Sequence, residues 1–253
     1  MDEIKYIQEE NRLRIYLNNI HGVDDAILSM FMSKRSWTPE LQERVQNLSR
    51  QVLDKDGFPI ESEMTTAGWA EFNDYLNKVV KWGSRHMTML RFIDLSFTVE
   101  GLHYAGTGDW DSHSMRFNNR IIRSSTRLAN FDYEMSDYYQ DKIIPTDMAM
   151  QELGIGIPDR IERDGVPYVK TVNGYIREDL QDNKDVKRGL YMLSIPSNFI
   201  FKVNLTEFAH VYKERNMDSG ANPEVKECCE MCADLIEDKF SQFNRELLMK
   251  IPN

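Results

Sequence analysis

Residues 188–224 read RGLYMLSIPSNFIFKVNLTEFAHVYKERNMDSGANPE. Its mostly apolar run at 190–203 is broken by Pro196, a pattern that predicts one or two buried strands. Asn204 then opens a predicted helix, in which apolar residues recur at helical spacing: Leu205, Phe208, Val211 and Tyr212. The polar exceptions in that helix are His210 and Arg215. The rest of the chain is interpreted around this strand and this helix.

A second stretch, residues 111–127 (DSHSMRFNNRIIRSSTR), concentrates positive charge in a chain whose net charge is -10. Asp111 is its only acid, and its arginines are Arg116, Arg120, Arg123 and Arg127. A guanidinium fork matches phosphate oxygens, and the hydroxyls of Ser125 and Thr126 add short donors beside it. The stretch therefore indicates a phosphate site, with a solvated or ion-paired helix face as the alternative.

The composition narrows the classes of protein to consider. With 41% hydrophobic and 11% aromatic residues in 253 positions, the chain can bury a core, and the composition argues against wholesale disorder. A pI near 5.1 argues against nucleic acid as the main partner, since a duplex requires a broad basic surface. One basic pocket in an acidic chain fits a small anionic ligand better. No apolar run approaches the length of a membrane span.

The three cysteines, Cys228, Cys229 and Cys232, lie within five residues of each other. Cys229 and Cys232 form a C-x-x-C, which is compatible with a redox or metal pair. No second Cys or His pair with zinc spacing follows, so no metal site is expected, and ordinary helix residues are the alternative interpretation. An odd cysteine count without a signal peptide predicts a reducing cytoplasm as the location.

Three helices are predicted in the first third of the chain, at 23–34, at 38–53 and from Thr65 or Thr66 to residue 80. Thr38 has the hydroxyl of an N-cap, and Pro39 suits the first helical position. The apolar residues of the third helix also recur at helical spacing. All three helices are interpreted as scaffold.

Further elements are predicted along the rest of the chain: a strand at 92–99, a loop at 105–109, a helix from 111 to about 123, a helix after Pro145, and a last helix from 224 to about 250. Two turn signals, Asp164-Gly165 and Asn173-Gly174, predict a hairpin or meander at 158–178. No clear domain boundary is visible. We therefore expect a single domain over residues 1–253 with an inserted β-hairpin at 158–178.

The first stretch resembles the C-terminal half of the flavin-dependent thymidylate synthases, the ThyX family. In that family an arginine precedes a leucine- and proline-containing strand, an asparagine opens a helix, a histidine lies mid-helix and an arginine ends it. The matching residues here are Arg188, Asn204, His210 and Arg215, followed by D-S-x-A-x-x-E at 218–224.

The middle of the chain resembles the same family less closely. His86-x-Thr88 before the predicted strand is similar to the family's H-x-[ST] segment, and Ser125-Thr126-Arg127 is similar to the second half of its flavin signature. The first half of that signature, R-H-R, is absent. The nearest equivalents are His113-x-x-Arg116 and Asn118-Asn119-Arg120. The resemblance covers roughly residues 85–240.

The resemblance implies an α+β fold with a central, largely antiparallel sheet flanked by long helices. It implies reductive methylation of dUMP to dTMP, with FAD as cofactor and NADPH and methylenetetrahydrofolate as co-substrates. It also implies a homotetramer with shared active sites. A related flavin- and folate-dependent pyrimidine nucleotide hydroxymethylase, and a non-catalytic nucleotide-binding relative, are the alternatives, because the R-H-R half of the signature is missing.

The resemblance also implies roles for individual residues. Arg215 would face the pyrimidine ring as the catalytic cation; its alternative role is to complement the end of its helix. The dUMP-binding residues would be His113, Arg116, Ser125, Thr126, Arg127, Arg188 and Arg215. The FAD-binding residues would be His86, Thr88, Asn119, Arg120, Asn204 and His210. Asn204 could instead be only an N-cap, and His210 only a satisfied core histidine.

Overall fold

The computed structural model describes residues 13–112, 120–123, 146–171, 174–182, 195–217 and 222–251. The fold is α+β, with antiparallel sheets, as predicted. The chain divides into two compact units. Unit 1 comprises Met1–Arg14, Glu100–Thr107 and Arg123–Asn198; unit 2 comprises Ile15–Val99, Gly108–Ile122 and Phe199–Asn253. The expectation of a single domain stays a prediction.

Helices and strands alternate irregularly along the described residues. The α-helices there are α1 (Val23–Ser33), α2 (Pro39–Val52), α3 (Ala67–Gly83), α4 (Tyr104–Ser112), α5 (Thr146–Glu152), α6 (Leu205–Met217), α7 (Pro223–Lys239) and α8 (Arg245–Lys250). The strands are β1 (Arg14–His21), β2 (Asp94–His103), β3 (Arg120–Arg123), β4 (Arg160–Arg163), β5 (Val166–Thr171), β6 (Gly174–Arg177) and β7 (Pro196–Asn204). Short 3-10 turns lie at Met87–Phe92 and Ser241–Phe243. Within these ranges, every helix is too short or too polar to cross a bilayer.

The strands form two sheets. The larger sheet has four strands in the order β1-β2-β7-β3, so β2 and β7, which are distant in sequence, lie side by side at its centre. The smaller sheet has the order β4-β5-β6, and both of its pairings are antiparallel. The central strand β7 runs directly into α6. This junction is the strand-and-helix unit that the sequence predicted.

The first three helices begin where the sequence predicts. Thr38 accepts a hydrogen bond from the backbone N–H of Leu41 at 3.2 Å, and Thr66 accepts one from Trp69 at 3.2 Å. Each cap satisfies a donor that the first turn of a helix leaves without an intrahelical partner. The predicted strand at 92–99 is also confirmed as the first part of β2, and the predicted helix after Pro145 is confirmed as α5.

Two predictions around the arginine-rich stretch are wrong. Residues 105–109, predicted as a loop, belong to α4, in which the Trp110 side chain is only 2% exposed. Burial of this large ring outweighs the weak helix propensity of two glycines. Residues 120–123, predicted as the end of a helix, form β3 instead. The adjacent Ile121 and Ile122 are β-branched and favour a strand.

The predicted last helix, from 224 to about 250, is interrupted. Helix α7 ends before Phe240, whose backbone is extended (φ -135°, ψ 98°), and α8 begins after Asn244. The rings of Phe240 and Phe243 lie 5.3 Å apart and are buried in the break. Asn244 then caps α8 by accepting the N–H of Leu247 at 3.0 Å. The break therefore holds two buried aromatic rings between α7 and α8.

An aromatic cluster forms the centre of unit 2. The rings of Phe97 on β2 and Phe201 on β7 stack at 4.9 Å, and Phe208 on α6 lies 5.8 Å from Phe97. Trp110 on α4 meets Phe201 edge-on at 5.0 Å. Offset and edge-to-face ring pairs add to the stabilisation from apolar burial. These contacts fasten α4 and α6 to the two central strands.

The smaller sheet of unit 1 occupies the predicted meander. The β4–β5 turn contains Asp164 at φ 53° and Gly165 at φ 77°, a left-handed pair typical of a two-residue hairpin turn. At the β5–β6 turn, the Thr171 hydroxyl donates to the carbonyl of Gly174 at 2.8 Å. The meander itself is thus present. That it is an insertion into a single domain stays a prediction.

Helix α8 is held to α7 by one arginine that meets three carboxylates. Arg245 Nε lies 2.9 Å from Glu230 and Nη1 lies 3.2 Å from Glu237, while Nη2 pairs with Asp234. The Tyr212 hydroxyl on α6 donates to Glu230 at 3.1 Å. Burial, reinforced by the charge of Glu230, raises the pKa of Tyr212 to about 12. A single charged network therefore connects three helices.

Replacing Arg245 by methionine should lower the free energy of unfolding by about 1 kcal/mol at low ionic strength. Three carboxylates on one face of α7 would then repel each other, and added salt should recover most of the loss because it screens that repulsion. Urea denaturation at low and high NaCl measures both effects. The matched control is Lys78→Met, which breaks an exposed i,i+4 pair with Asp74 and should cost less than about 0.5 kcal/mol. A loss that is unchanged at high salt would rule out the electrostatic explanation.

Candidate functional site

The junction of β7 and α6 places Asn204 at the head of the buried helix. Its side-chain Oδ1 accepts the N–H of Glu207 at 3.0 Å and the hydroxyl of Thr206 at 2.6 Å. This is an N-cap, so the capping role that the sequence left open as an alternative is present. Because Oδ1 is engaged, the amide Nδ2 is the group with which Asn204 can donate to a ligand.

Helix α6 is buried on most of its circumference. The backbone N–H of Leu205 donates to the carbonyl of Ile93 at 2.8 Å, which places the start of α6 beside the end of the Met87–Phe92 turn. A surface helix buries one stripe, whereas a helix buried on most sides belongs to the centre of its domain. The polar residues of α6 are therefore held in fixed surroundings.

His210 lies mid-helix and is half-buried. Its ring Nδ1 is inaccessible to solvent and has no hydrogen-bond partner among the described residues. Buried polar atoms are nearly always paired in native proteins, so a lone ring nitrogen needs an explanation. A bound ligand group would supply the missing partner. The two roles that the sequence offered for His210, a contact to FAD and a core histidine, both stay predictions.

Arg215 lies in the last turn of α6 and is only 4% exposed. Its Nη2 donates to the backbone carbonyl of Asp109 on α4. Its charge also reaches Cys229 on α7, where it partly opposes the rise in the thiol pKa that burial causes. A cation in the last turn complements the helix dipole as well. Arg215 thus carries a fixed positive charge in a nearly dry environment.

The two ends of α6 are too far apart for one small group to touch both. Asn204 and Arg215 are eleven positions apart, which corresponds to roughly 16 Å along the helix axis. A ligand that contacted Asn204, His210 and Arg215 together would have to be extended along the helix. Otherwise, two ligands would share the helix, one at each end.

His86 and Thr88 are exposed and lie at the start of the Met87–Phe92 turn. The His86 ring stacks on Trp82, with centroids 6.2 Å apart and an interplanar angle of 23°. Lys34 Nζ lies 4.3 Å from the centroid of the same Trp82 ring. The turn approaches the N-terminal end of α6 through the Leu205–Ile93 hydrogen bond. His86 and Thr88 are thus on a segment that packs near Asn204, and both side chains are open to solvent.

The remaining predicted site residues cannot be placed relative to this helix. The residues that lie outside the described part of the chain are His113, Arg116, Asn119, Ser125, Thr126, Arg127 and Arg188. Arg120 contributes backbone to β3, and its side chain is not described. Of the neighbouring arginines, Arg123 donates to the carbonyl of Thr107 at 3.0 Å. Their roles stay predictions.

Comparison with known proteins was informative only at the level of structure. No protein-family model matches the chain, and no curated protein matches it. The chain is similar to thymidylate synthase X (ThyX) from Helicobacter pylori, solved with FAD and dUMP: TM-score 0.53 and 11% identity, over 94% of this chain and 99% of that one. A second structure of flavin-dependent thymidylate synthase ThyX from the same organism also contains FAD and dUMP. Its TM-score is 0.52 and its sequence identity is 9%, over 92% of this chain and 98% of that one. The chain shares its fold with ThyX.

Helix α4 was missed by sequence reasoning, although it supplies a partner for Arg215. The partner atom is a backbone carbonyl, and such an atom leaves no trace in the type of residue. Trp110 was the available signal, since a large apolar ring directly after a glycine-rich segment indicates that the segment packs against a core.

The three cysteines have the properties of core residues. All are fully buried in α7, and burial raises the pKa of each thiol above its ordinary value. A reactive thiol requires the opposite, an exposed site that stabilises the thiolate. Among the described residues there is also no group of three His, Cys, Asp or Glu side chains that could hold a metal ion. The C-x-x-C spacing therefore reflects ordinary helix packing.

The free energy of unfolding should fall as the pH rises above about 8.5, because the raised thiol pKa values apply only to the folded state. Below the unfolded-state pKa all three thiols are neutral in both states, and their contribution is complete. Above it, unfolding releases protons, and the free energy of unfolding falls by up to about 1.4 kcal/mol per pH unit for each thiol. Urea midpoints at pH 7.5, 9 and 10 measure this slope. A Cys228→Ala, Cys229→Ala, Cys232→Ala triple variant should show a flatter profile; an identical slope would contradict the assignment.

Proposed function

We propose that this protein is a FAD-dependent thymidylate synthase, which methylates dUMP reductively to dTMP with methylenetetrahydrofolate as carbon donor and NADPH as reductant. The observation that carries the proposal is Arg215, a buried cation at the end of the helix that the ThyX-like strand-and-helix unit provides. The fold similarity to ThyX structures that contain FAD and dUMP extends over nearly the whole of both chains and supports it.

Arg215 is proposed to face the uracil ring of dUMP. A guanidinium beside a ring carbonyl stabilises the negative charge that develops on the carbonyl oxygen, and this makes the C5 position of the ring more nucleophilic. The stabilisation is stronger in a water-poor site because the local dielectric is low. The Asp109 carbonyl fixes the guanidinium in place before substrate arrives, so little reorganisation is required.

The phosphate of dUMP is proposed to bind the cationic residues of two other segments. They are His113, Arg116, Ser125, Thr126 and Arg127 from the arginine-rich stretch, and Arg188. Arginine suits this role because its planar fork donates two parallel hydrogen bonds to phosphate oxygens. In an acidic chain, such a cluster would also attract the doubly charged nucleotide.

FAD fits the donor set of α6. The Nδ2 of Asn204 can donate to a carbonyl or phosphate oxygen, and the lone Nδ1 of His210 can pair with a polar edge of the cofactor. His86, Thr88, Asn119 and Arg120 are the other residues proposed to bind it. When bound, the flavin supplies the hydride for the reaction, and the protein supplies orientation and electrostatics.

The thiols of this chain are consistent with a mechanism that needs no enzyme nucleophile. All three are protonated at neutral pH and inaccessible, so none is available to attack a pyrimidine. The proposal also includes assembly as a homotetramer with shared active sites, and a cytoplasmic location. The homotetramer rests on the family resemblance alone, and the location rests on the cysteine count of the sequence.

A related pyrimidine nucleotide hydroxymethylase is the second candidate, and a non-catalytic nucleotide-binding protein is the third. One observation favours them: the chain has Asn118-Asn119-Arg120 where the ThyX signature has R-H-R. If the first half of the signature has changed and the second half, Ser125-Thr126-Arg127, is retained, the protein would still bind the nucleotide. It would then form a different product or would not catalyse the reaction.

The visible absorption spectrum of the purified protein with added FAD, before and after dUMP, tests the proposal. A bound-flavin spectrum that shifts on addition of dUMP would support a shared site, and Arg127→Ala should remove the shift while leaving the flavin bound. Turnover with methylenetetrahydrofolate and NADPH, followed by product mass, then separates dTMP from a hydroxymethyl product. Absence of flavin binding would overturn the synthase and hydroxymethylase proposals together.

A further inference from the structure

A cleft whose described lining includes no residue of α6 lies between the end of α3 and the segment that contains α8. Its volume is about 490 Å³, within the range of small-molecule sites. Both walls belong to unit 2. The Gln242 side chain donates to Asn73 on α3 and ties the walls together. The floor includes the buried side chain of Leu247.

The charge of this cleft is opposite to that of the chain. Three cations line the cleft: Lys81 on α3, Arg85 just after the end of α3, and Lys250 on α8. Its single carboxylate is that of Glu246. The whole chain, by contrast, has 31 lysines and arginines against 41 acids. An excess of cations in a concave surface focuses a positive potential there.

Two of these cations are available to a ligand. Lys250 is paired with Glu246, whereas Lys81 and Arg85 form no ion pair within the described part of the chain. Hydroxyl and amide groups stand beside them, including those of Ser241 and Asn77. Such a set of donors, in a cleft that Val80 and Leu247 also line, suits a multiply charged oxyanion.

The end of α3 does not oppose an anion strongly, although the C-terminus of a helix carries partial negative charge. The Val80 carbonyl accepts the N–H of Ser84 at 3.1 Å, and the Trp82 carbonyl accepts two N–H groups at 2.9 and 3.0 Å. The Lys81 carbonyl accepts the Ser84 hydroxyl at 3.1 Å. Three of the last carbonyls are thus already engaged, so they contribute less negative potential to the cleft.

We propose that this cleft binds a phosphate-bearing small molecule, in which Lys81 and Arg85 contact the phosphate oxygens and Lys250 adds charge from the opposite wall. The site is separate from α6 and does not depend on the proposed synthase activity. The shared chemistry is a polyphosphate anion, either free or attached to a nucleoside.

Isothermal titration of inorganic triphosphate into the full-length protein, with dUMP added at saturation to occupy the proposed substrate site, tests this inference. The double variant Lys81→Gln/Arg85→Gln should bind triphosphate about tenfold more weakly or worse, because two charge-assisted contacts are lost. The control, Lys78→Gln/Arg50→Gln, removes the same charge from exposed positions outside the cleft and should stay within about twofold.

A variant that is expected to strengthen triphosphate binding provides a second test. Glu246→Gln removes the single carboxylate of the cleft and releases Lys250, so triphosphate should bind about threefold more tightly or better. Arg127→Ala should leave this binding unchanged, which distinguishes the cleft from the proposed dUMP site even if dUMP does not bind. Comparison of triphosphate with a nucleoside triphosphate identifies the source: equal affinity means that only phosphate is recognised, and tighter binding means that a nucleotide is. Absence of triphosphate binding, or equal affinity in the Lys81→Gln/Arg85→Gln variant, would overturn the inference.

Discussion

Replacing Arg215 by lysine should lower turnover of dUMP about 10²- to 10³-fold, the loss expected when one preorganised donor to a developing oxyanion is removed. Lysine keeps the charge but loses the planar fork, so its donors all lie on one nitrogen and cannot reproduce the spacing between the donor to the Asp109 carbonyl and a donor to a ring carbonyl. The measurement is single-turnover formation of dTMP in flavin-loaded enzyme, with dUMP affinity determined separately.

The control for this prediction is Arg245→Lys, at another arginine of unit 2, which pairs with carboxylates and lies outside the proposed site. It should leave turnover unchanged. Near-ultraviolet circular dichroism of Arg215→Lys must match the wild type, since a buried residue can also act through packing. If the variant is folded, binds dUMP and turns over normally, the proposed role of Arg215 is wrong.

Replacing Phe97 by alanine should lower the free energy of unfolding by about 3–5 kcal/mol, the range for a fully buried aromatic ring. Phe97 is stacked against Phe201 and Phe208 and is 0% exposed, so its removal leaves a cavity between β2, β7 and α6. Because these elements carry the candidate site, flavin binding should weaken together with stability. Urea denaturation followed by tryptophan fluorescence gives the change.

Two substitutions calibrate this effect. Phe97→Leu retains most of the buried apolar volume and should cost about 1–2 kcal/mol. Phe92→Ala makes the same chemical change at a ring that is 48% exposed, and should cost about 0.5 kcal/mol or less. Equal losses at Phe92 and Phe97 would show that the aromatic cluster is not the centre of the core.

The starts of α2 and α3 were predictable from the sequence, because each is marked by a threonine that can cap the helix. The hydroxyls of Thr38 and Thr66 act on N–H groups three residues away, and this geometry is set by the chain itself. Helix α4 and the break at Phe240 were not predictable in this way. Both depend on the burial of large rings against elements that are distant in sequence, and tertiary packing overrides local propensity there.

The candidate site was predictable in its order along α6 but not in its contacts. The spacing of Asn204, His210 and Arg215 placed them on one helix, and the structure agrees. The sequence could not show that the Asn204 oxygen is engaged by the helix cap or that a backbone carbonyl holds Arg215. Such partners depend on three-dimensional packing, and backbone atoms are the same in every residue.

The burial of the cysteines has a practical consequence for experiments on assembly. All three thiols of the chain are enclosed in α7, so alkylating reagents should find no accessible native thiol in the folded protein. A single cysteine introduced on an exposed surface would then be the only position labelled, without prior removal of the native ones. Fluorophores or spin labels attached there could report distances between subunits, and thereby reveal whether copies of this chain associate.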